Sequence, residues 1–354
     1  MRTELLDYPL PEALIARWPN AQRDASRLLV VERDRVCHRC FADWPELLTP
    51  GSLLVLNDSR VLKARIVGAR KPGGGRVELL LLRRLDVGDP NDVATVERWR
   101  ALGHANRPLR SGHVIEADGL TAEVLEREPQ GVLTVSMRAV GGVRAALERV
   151  GHVPIPPYLR RPDAACDVER YQTVYARRDG SVAAPTAGLH LTGAVLQRIR
   201  DRGVTVGSLT LHVGLGTFRP VTSDDLDDHP MHEEWFEIPP ELVAGVDHAR
   251  RAGKPVVAVG TTAVRALESA ADEGRVGHIV AGAKETRLLI QPGYRFRVVD
   301  ALLTNFHQPR STLMALVSAF AGLDRIREAY RVAVQKEYRF LSYGDAMWIP
   351  ERLA

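Results

Sequence analysis

The residues best suited to acid–base chemistry lie in the stretch His229-Pro-Met-His232-Glu-Glu234. Histidine titrates near neutral pH, and a carboxylate beside it tunes its proton affinity. The stretch differs from the H-E-x-x-H pattern of zinc hydrolases, because Glu233 directly follows His232 and no third ligand is evident. We therefore predict proton transfer at His232 and Glu233, and no metal site.

A second candidate histidine, His212, is followed by two glycines, Gly214 and Gly216, and by Thr217. The β-branched run from Val204 to Val213 predicts a strand that ends at the glycines. Glycine lets a ligand approach the backbone closely. A histidine within a strand is more often a hydrogen-bonded structural residue, so a structural role and a catalytic role both stay open for His212.

Three further turns place hydroxyl, amide and ring side chains at the ends of predicted strands, where open α/β sheets bind ligands. Hydroxyls and free N–H groups at a helix start suit a carboxylate or a phosphate, and Arg265 follows one of these turns. Helix capping by threonine is the alternative interpretation. The three turns are Pro185-Thr-Ala-Gly-Leu-His190, Val259-Gly-Thr-Thr262 and Thr304-Asn-Phe-His-Gln-Pro-Arg-Ser311.

Basic residues cluster in two places, although the net charge is only +4. Arg60, Lys63 and Arg65 belong to a segment without acidic residues, and Arg160 and Arg161 follow a proline-rich run. Either cluster alone is typical of a solvated face. Together they are compatible with a nucleic acid partner.

The elements that must position these residues change character along the chain. Between Val61 and Met137 short strands alternate with turns, which predicts a small antiparallel β-barrel. The predicted strands are Val61 to Val67, Gly75 to Leu82, Trp99 to Gly103, Thr121 to Leu125 and Gly131 to Ser136. After Tyr158 helices and strands alternate, which predicts βαβ units around a largely parallel sheet. We therefore predict an α/β protein with a mixed, largely parallel sheet or a barrel-like α/β domain, formed by residues 1–60 and 150–354. The small β-barrel is predicted as an insertion of residues 61–149.

Composition limits the remaining classes. Cys37, Cys40 and Cys166 are too few for a disulfide framework in a chain of 354 residues, and Cys37 and Cys40 lack a second ligand pair for zinc. The apolar stretch Leu313 to Ala321 is too short to cross a bilayer. We expect a cytoplasmic protein. Since G-x-G-x-x-G, P-loop and G-x-S-x-G motifs are absent from the sequence, we expect no dinucleotide cofactor.

At these same turns the sequence resembles the S-adenosylmethionine:tRNA ribosyltransferase-isomerase family of queuosine biosynthesis. The resemblance runs from Tyr8 to Met347, essentially the whole chain, and Gln308 stands where the family pattern has leucine. The motifs that carry it are Leu56-Asn-Asp-Ser-Arg60, Pro185-Thr-Ala-Gly-Leu-His190, His212-Val-Gly-Leu-Gly-Thr-Phe218, His229-Pro-Met-His-Glu233, Gly260-Thr-Thr262 and Thr304-Asn-Phe-His-Gln-Pro-Arg-Ser-Thr312.

The resemblance implies transfer and isomerisation of the ribosyl group of S-adenosylmethionine. The acceptor is 7-aminomethyl-7-deazaguanine at the tRNA wobble position, the product is epoxyqueuosine, and adenine and methionine are released. It implies S-adenosylmethionine as a consumed co-substrate, no other cofactor, no metal, no obligate protein partner, no membrane association and a monomer.

The same resemblance suggests roles for individual residues. His212, His232 and Glu233, with Asp58, are the candidate catalytic residues, because a base must remove a proton beside the sulfonium. Arg60, Lys63, Arg65, Arg160 and Arg161 are the candidate tRNA contacts. The candidate S-adenosylmethionine ligands are Thr186, Gly188, His190, Gly214, Gly216, Thr217, Thr261, Thr262, Arg265, Asn305 and His307.

Two rival functions stay open at this point. An S-adenosylmethionine-dependent RNA methyltransferase would show a glycine-rich loop after its first strand, and a non-catalytic RNA-binding protein would leave the histidine-containing turns unexplained. A metal-dependent hydrolase is a more distant alternative.

Overall fold

The computed structural model describes residues 1–85, 96–128, 131–214 and 221–354. Most of the strands in this part of the chain belong to one large sheet or to one barrel. In chain order they are β1 (Arg27–Val31), β2 (Val36–Cys40), β3 (Leu53–Asn57), β4 (Ser59–Val61), β5 (Arg65–Lys71), β6 (Arg76–Arg84), β7 (Val96–Ala105), β8 (Val114–Ala117), β9 (Leu120–Arg127), β10 (Val132–Ala139), β11 (Arg178–Ser181), β12 (Thr205–Leu211), β13 (Glu234–Ile238), β14 (Val256–Val259), β15 (Gly282–Thr286), β16 (Ala301–Asn305) and β17 (Ala346–Ile349).

The helices are short, and most of them pack against the large sheet. In chain order they are α1 (Val143–Val150), α2 (Ala165–Arg170), α3 (Gly193–Asp201), α4 (Pro240–Arg251), α5 (Thr261–Ser269), α6 (Thr312–Ala321) and α7 (Leu323–Gln335). Among the 3₁₀ helices, Phe41–Leu47 and Thr186–His190 matter for the site.

The large sheet has nine described strands in the order β15-β13-β12-β3-β14-β16-β17-β1-β2. The four central strands, β12, β3, β14 and β16, are parallel to one another, and antiparallel pairs flank them on both sides. Every residue of β3 is buried, as expected for a central strand covered on both faces. The prediction of a mixed sheet is confirmed, and its parallel core is the part that later positions the site.

Two apolar layers cover the sheet. Helices α4 to α7 contribute Leu242, Val264, Met314 and Ile326 to the larger core cluster on one face. Helix α3 and the 3₁₀ helix Phe41–Leu47 cover the other face. Each fully buried Leu, Ile or Phe side chain stabilises the fold by about 1.5–3 kcal/mol relative to exposure.

The antiparallel barrel is confirmed as well. Strands β10-β7-β6-β5-β8-β9 close on themselves, and alternate residues such as Val77, Leu79 and Leu81 fill the interior. Helix α1 packs against this core through Val143 and Leu147. The predicted domain boundaries at 60/61 and 149/150 stay a prediction.

Local boundaries differ from the sequence prediction at the barrel entrance, which is the name used here for residues 59–65 and 150–163, the two segments through which the chain enters and leaves the barrel region. The predicted strand Val61 to Val67 is two elements, β4 and β5, with Leu62 to Ala64 between them. Strand β4 pairs in parallel with β11 instead of joining the barrel. Strand β8 was absent from the prediction.

Candidate functional site

The polar turns predicted from the sequence converge at one edge of the sheet. Strands β3, β12, β14 and β16 run in parallel, so their carboxyl ends lie along the same edge, where ligands of α/β proteins bind. Two neighbouring pockets open there, and Leu313 lines both of them.

The first pocket, here called the threonine pocket, encloses about 640 Å³ counted out to solvent. Thr186, Thr261, Thr262, Asn305 and His307, all predicted from the sequence, line it. Its remaining lining includes Tyr158, Val213, Gly260, Thr304, Phe306, Ser311 and Leu341.

Asn57 holds the floor of the threonine pocket together. Its Nδ2 donates to the carbonyl of Leu211 at 3.0 Å and to Oγ1 of Thr262 at 3.2 Å. Its Oδ1 accepts the backbone N–H groups of Leu211 and Ser59 at 3.0 and 3.1 Å. One buried amide thereby ties β3 to β12 and to the start of α5. It was not among the candidate residues, although the motif Leu56-Asn-Asp-Ser-Arg60 contains it.

His307 is buried and neutral. Burial lowers its pKa to about 3, and its Nε2 lies 2.8 Å from Oγ1 of Thr304. Its carbonyl accepts a hydrogen bond from the Tyr8 hydroxyl, and its N–H donates to the Tyr330 hydroxyl at 2.9 Å. These bonds fix the loop after β16 and hold the ring in the pocket wall.

Asn305 is the more promising ligand contact. Its Nδ2 lies 3.2 Å from Nε2 of His190, whereas its Oδ1 is buried and has no hydrogen-bond partner among the described residues. A buried acceptor without a partner costs about 1–3 kcal/mol. A ligand donor reaching this pocket would remove that cost.

Gly188 and His190 lie behind the pocket wall instead of in it. A Cβ at Gly188 would lie 1.9 Å from the Tyr175 hydroxyl, so glycine is required there by packing. His190 contacts the ring of Phe41 and bonds to Ser26 Oγ at 2.9 Å, and burial lowers its pKa to about 4. Both residues therefore support Thr186 and Asn305, and neither lines the threonine pocket or the second pocket beside it.

The second pocket, here called the arginine pocket, encloses about 450 Å³ counted out to solvent. Arg265 and His232 line it together with Glu234, which was not among the candidate residues. Nη1 of Arg265 forms a buried ion pair with Glu234, and Glu234 Oε1 accepts the N–H of Gly214 at 3.2 Å. The remaining lining is His229, Met231, Leu288, Leu289, Ile290, Thr312, Leu313 and Leu316.

Glu233 lies outside both pockets. Its exposed carboxylate is 2.7 Å from Nη2 of Arg287. The alternation of side chains between the two faces of β13 explains why Glu234, and not Glu233, lines the arginine pocket. Glu234 shares the buried face of β13 with Phe236 and Ile238, and Glu233 precedes the strand on the opposite side.

His212 directly follows β12 and Asp58 directly follows β3, its parallel neighbour, and neither residue lines the two pockets. His212 stacks on Trp235 with ring centroids 5.0 Å apart and packs against the backbone of Gly180. Burial, with a smaller effect of Arg178, lowers its pKa to about 4. Asp58 accepts a 2.7 Å hydrogen bond from Thr210 Oγ1. The predicted catalytic role of this pair stays a prediction.

The five candidate tRNA contacts lie around the barrel entrance, and each is ion-paired. Arg65 pairs at 2.9 Å with Asp163, which lies in the same segment as Arg160 and Arg161, so the two basic groups do converge. Arg161 is buried against Asp167 at 2.6 Å. Arg60, Lys63 and Arg160 are paired with Asp179, Glu148 and Glu12 at 3.6, 3.3 and 2.7 Å.

Two of the residues predicted to bind the ligand have no described position. Gly216 and Thr217 lie outside the described residues. In the described ranges no group of three or more His, Cys, Asp or Glu side chains is arranged for a metal ion. Cys37, Cys40 and Cys166 are free thiols. No helix in the described part of the chain is long and apolar enough to span a membrane.

A family model and named relatives match nearly the whole chain. A family model described as queuosine biosynthesis protein matches residues 3–349. A protein of Sorangium cellulosum named S-adenosylmethionine:tRNA ribosyltransferase-isomerase is 56% identical over 99% of this chain and 98% of its own length. A protein of the same name from Anaeromyxobacter sp. is 52% identical over 98% of both chains.

A solved structure is similar over its full length. The crystal structure of S-adenosylmethionine tRNA ribosyltransferase from Thermotoga maritima has a TM-score of 0.54 and 35% sequence identity, and the match covers 98% of this chain and 99% of that one.

Proposed function

Because the chain belongs to the family of queuosine biosynthesis proteins, we infer that it is an S-adenosylmethionine:tRNA ribosyltransferase-isomerase. The 56% identity over 99% of the chain carries this conclusion. The enzyme transfers and isomerises the ribosyl moiety of S-adenosylmethionine onto 7-aminomethyl-7-deazaguanine at the wobble position of tRNA. It forms epoxyqueuosine and releases adenine and methionine.

We propose that the threonine pocket takes the adenosine part of S-adenosylmethionine. Adenine carries an exocyclic amine that donates hydrogen bonds, and Asn305 Oδ1 is a buried acceptor without a partner in the described chain. Phe306 and Leu341 supply apolar lining for the purine. Thr261 and Thr262, at the start of α5, offer hydroxyls and N–H groups to the ribose oxygens.

His232 is the best-placed of the four candidate acid–base residues. The reaction needs a base beside the sulfonium, because the positive sulfur acidifies the adjacent ribose CH₂. Of the four candidates, only His232 lines either pocket among the described residues. We therefore assign proton transfer to His232 in this proposal, and a supporting position to Asp58 and His212.

We further propose that tRNA lies across the barrel entrance. Arg60, Lys63 and Arg160 are half-buried or exposed. Arg60 and Lys63 lie on the segment that enters the barrel, and Arg160 lies on the segment that leaves it. Phosphates would compete with the carboxylates that now pair these cations. Because Arg161 is buried and doubly bonded to Asp167, its role in this proposal is to support the entrance.

The remaining properties are also proposals. We expect the enzyme to act in the cytoplasm as a monomer, without an obligate protein partner and without a metal or redox cofactor. Charge on the sulfonium supplies the acidity that a metal would otherwise provide. Full activity in the presence of a chelator would support the last point, and restoration by added metal would contradict it.

The function is tested by product analysis. Purified protein is incubated with S-adenosylmethionine and with tRNA bearing the aminomethyl-deazaguanine, and the products are separated by chromatography. We expect adenine only when this tRNA is present, and none with tRNA carrying guanine at the wobble position. S-adenosylhomocysteine would instead identify a methyltransferase, and no turnover with verified substrates would favour a binding protein.

A further inference from the structure

The arginine pocket contains a buried charge with an incomplete set of partners. Arg265 is only 8% exposed. Its Nη1 pairs with Glu234 and its Nε donates to the Leu288 carbonyl at 3.0 Å, but its Nη2 is buried without a hydrogen-bond partner among the described residues. Leaving a buried charged donor unsatisfied is costly, so the site is incomplete without an acceptor.

The rest of the pocket defines what that acceptor belongs to. Met231, Leu288 and Leu316 give it apolar walls, and the Glu234–Arg265 pair places one negative and one positive group side by side. Glu234 accepts hydrogen bonds from Arg265 and Gly214, and its carboxylate, which has about four lone-pair sites, is the acidic group of this pocket. This arrangement is complementary to an α-amino acid, which carries an ammonium and a carboxylate on one carbon and an apolar side chain.

We propose that the arginine pocket is the subsite for the methionine end of S-adenosylmethionine. The α-carboxylate binds Nη2 of Arg265, the α-ammonium binds the Glu234 carboxylate, and the methionine methylenes pack against Met231 and Leu316. Leu313 lines both pockets, so one ligand spans them with its adenosine in the threonine pocket and its sulfonium between the two.

This inference rests on the proposed function. Binding at two charged groups distant from the reacting carbon holds the sulfonium next to His232, which lines the same pocket. After the bond between sulfur and ribose has broken, methionine occupies the arginine pocket and adenine the threonine pocket. Glu234 and Arg265 thereby become determinants of specificity for the intact amino acid.

The test compares two ligands on the wild-type protein, which avoids any dependence on a variant's folding. Equilibrium dialysis measures the affinity for S-adenosylmethionine and for its decarboxylated form, which lacks only the α-carboxylate. We expect S-adenosylmethionine to bind at least about tenfold more tightly, as charge-assisted hydrogen bonds to a buried arginine require. Equal affinities would overturn the proposal.

Variants then locate the effect. Arg265→Gln should bind the two ligands equally, and Arg287→Gln, an exposed arginine nearby that pairs with Glu233, should keep the wild-type preference. A preference retained in Arg265→Gln would overturn the assignment. So would a rise in KM for tRNA with unchanged KM for S-adenosylmethionine, which would indicate a phosphate site.

Failure of the inference is distinguishable from failure of the proposed function. Adenine release by the wild-type protein with modified tRNA tests the function alone. If adenine is released while the two ligands bind equally, the function stands and the subsite is wrong.

Discussion

At the scale of single residues, the site depends on which of two neighbouring side chains faces the pocket. In an extended chain successive side chains point to opposite faces. Val213 lines the threonine pocket whereas His212, the residue before it, stacks on Trp235. Glu234 pairs with Arg265 inside, and Glu233 pairs with Arg287 outside. Residue types in the sequence identified the stretches that form the site. Which side chain of each stretch lines a pocket depends on the face of the extended chain on which it lies.

The pair His232 and Glu233 offers a prediction with a built-in control. Replacing His232 with Gln should lower kcat for adenine release by about 10²-fold or more, the usual effect of removing a general base. Glu233→Gln should change kcat less than about threefold, because its carboxylate lies outside both pockets. Single-turnover adenine release with saturating substrates measures both. A larger loss in Glu233→Gln than in His232→Gln would reverse the assignment.

Buried neutral histidines predict a dependence of stability on pH. Burial lowers the pKa of His190 to about 4 and that of His307 to about 3, from an ordinary value of 6.5. Below pH 6.5 the unfolded chain takes up protons that the folded chain refuses. The free energy of unfolding should therefore fall as the pH falls from 6.5 towards 4, by up to about 1.4 kcal/mol per pH unit for each such histidine.

Urea unfolding at pH 7.0, 6.0 and 5.0 measures this slope. His190→Gln should reduce it, because glutamine does not titrate. An unchanged slope in that variant would mean that His190 is protonated in the folded state or that other groups dominate.

At the scale of elements, the 3₁₀ helix Thr186–His190 forms the rear wall of the threonine pocket through tight packing. Gly188→Ala should destabilise the fold by about 1–3 kcal/mol, because the added Cβ would meet the Tyr175 hydroxyl at 1.9 Å. Adding Tyr175→Phe to this variant should recover part of the loss, since it removes the clashing oxygen. Chemical denaturation of the wild-type protein, the two single variants and the double variant gives the coupling energy.

Additive effects of Gly188→Ala and Tyr175→Phe would contradict this explanation. The KM for S-adenosylmethionine provides a second readout, and it should rise in Gly188→Ala because Thr186 lies in the same turn.

The parallel centre of the sheet and most of the pocket turns were predictable from the sequence, whereas Asn57 was not. Alternating helices and strands after Tyr158 predicted the parallel centre, because each βαβ unit leaves its pattern in contiguous residues. The turns at Thr261 and Asn305 were placed at the site because strand carboxyl ends share an edge. Asn57 was missed because three of its four bonds reach Leu211 and Thr262, which are 154 and 205 residues away, and such separation leaves no local pattern.

One missed residue did have a usable signal. In Glu234-Trp-Phe-Glu-Ile238 the apolar Phe236 and Ile238 mark the buried face of β13, and Glu234 shares their parity. A buried glutamate on that face needs a positive partner, and Arg265 supplies it. The same reasoning cannot identify which arginine, because that depends on how α5 packs against the sheet.

At the scale of the whole molecule, charged pairs join the barrel and its helix α1 to strands outside the barrel. Arg83 of β6 pairs with Glu285 of β15, and Arg144 of α1 pairs with Asp179 of β11. Asp179 is also the partner of Arg60, at 3.6 Å. Exposed pairs of this kind contribute about 0–1 kcal/mol each, so a polyanion can compete for their cations at little cost to stability.

Competition between tRNA phosphates and these carboxylates predicts that Arg60 contributes to tRNA binding. Arg60→Gln should weaken tRNA binding and reduce the slope of log affinity against log salt by about 0.7–0.9, the effect of losing one phosphate contact. Its KM for S-adenosylmethionine should not change, because Arg60 lies outside both pockets. Filter binding between 50 and about 200 mM salt measures the slope. Arg198→Gln, an exposed arginine of α3 that pairs with Glu46, is the matched control and should keep the wild-type slope. If both variants keep that slope, tRNA does not contact the barrel entrance at Arg60, and the route of the anticodon to the pockets must run over another surface.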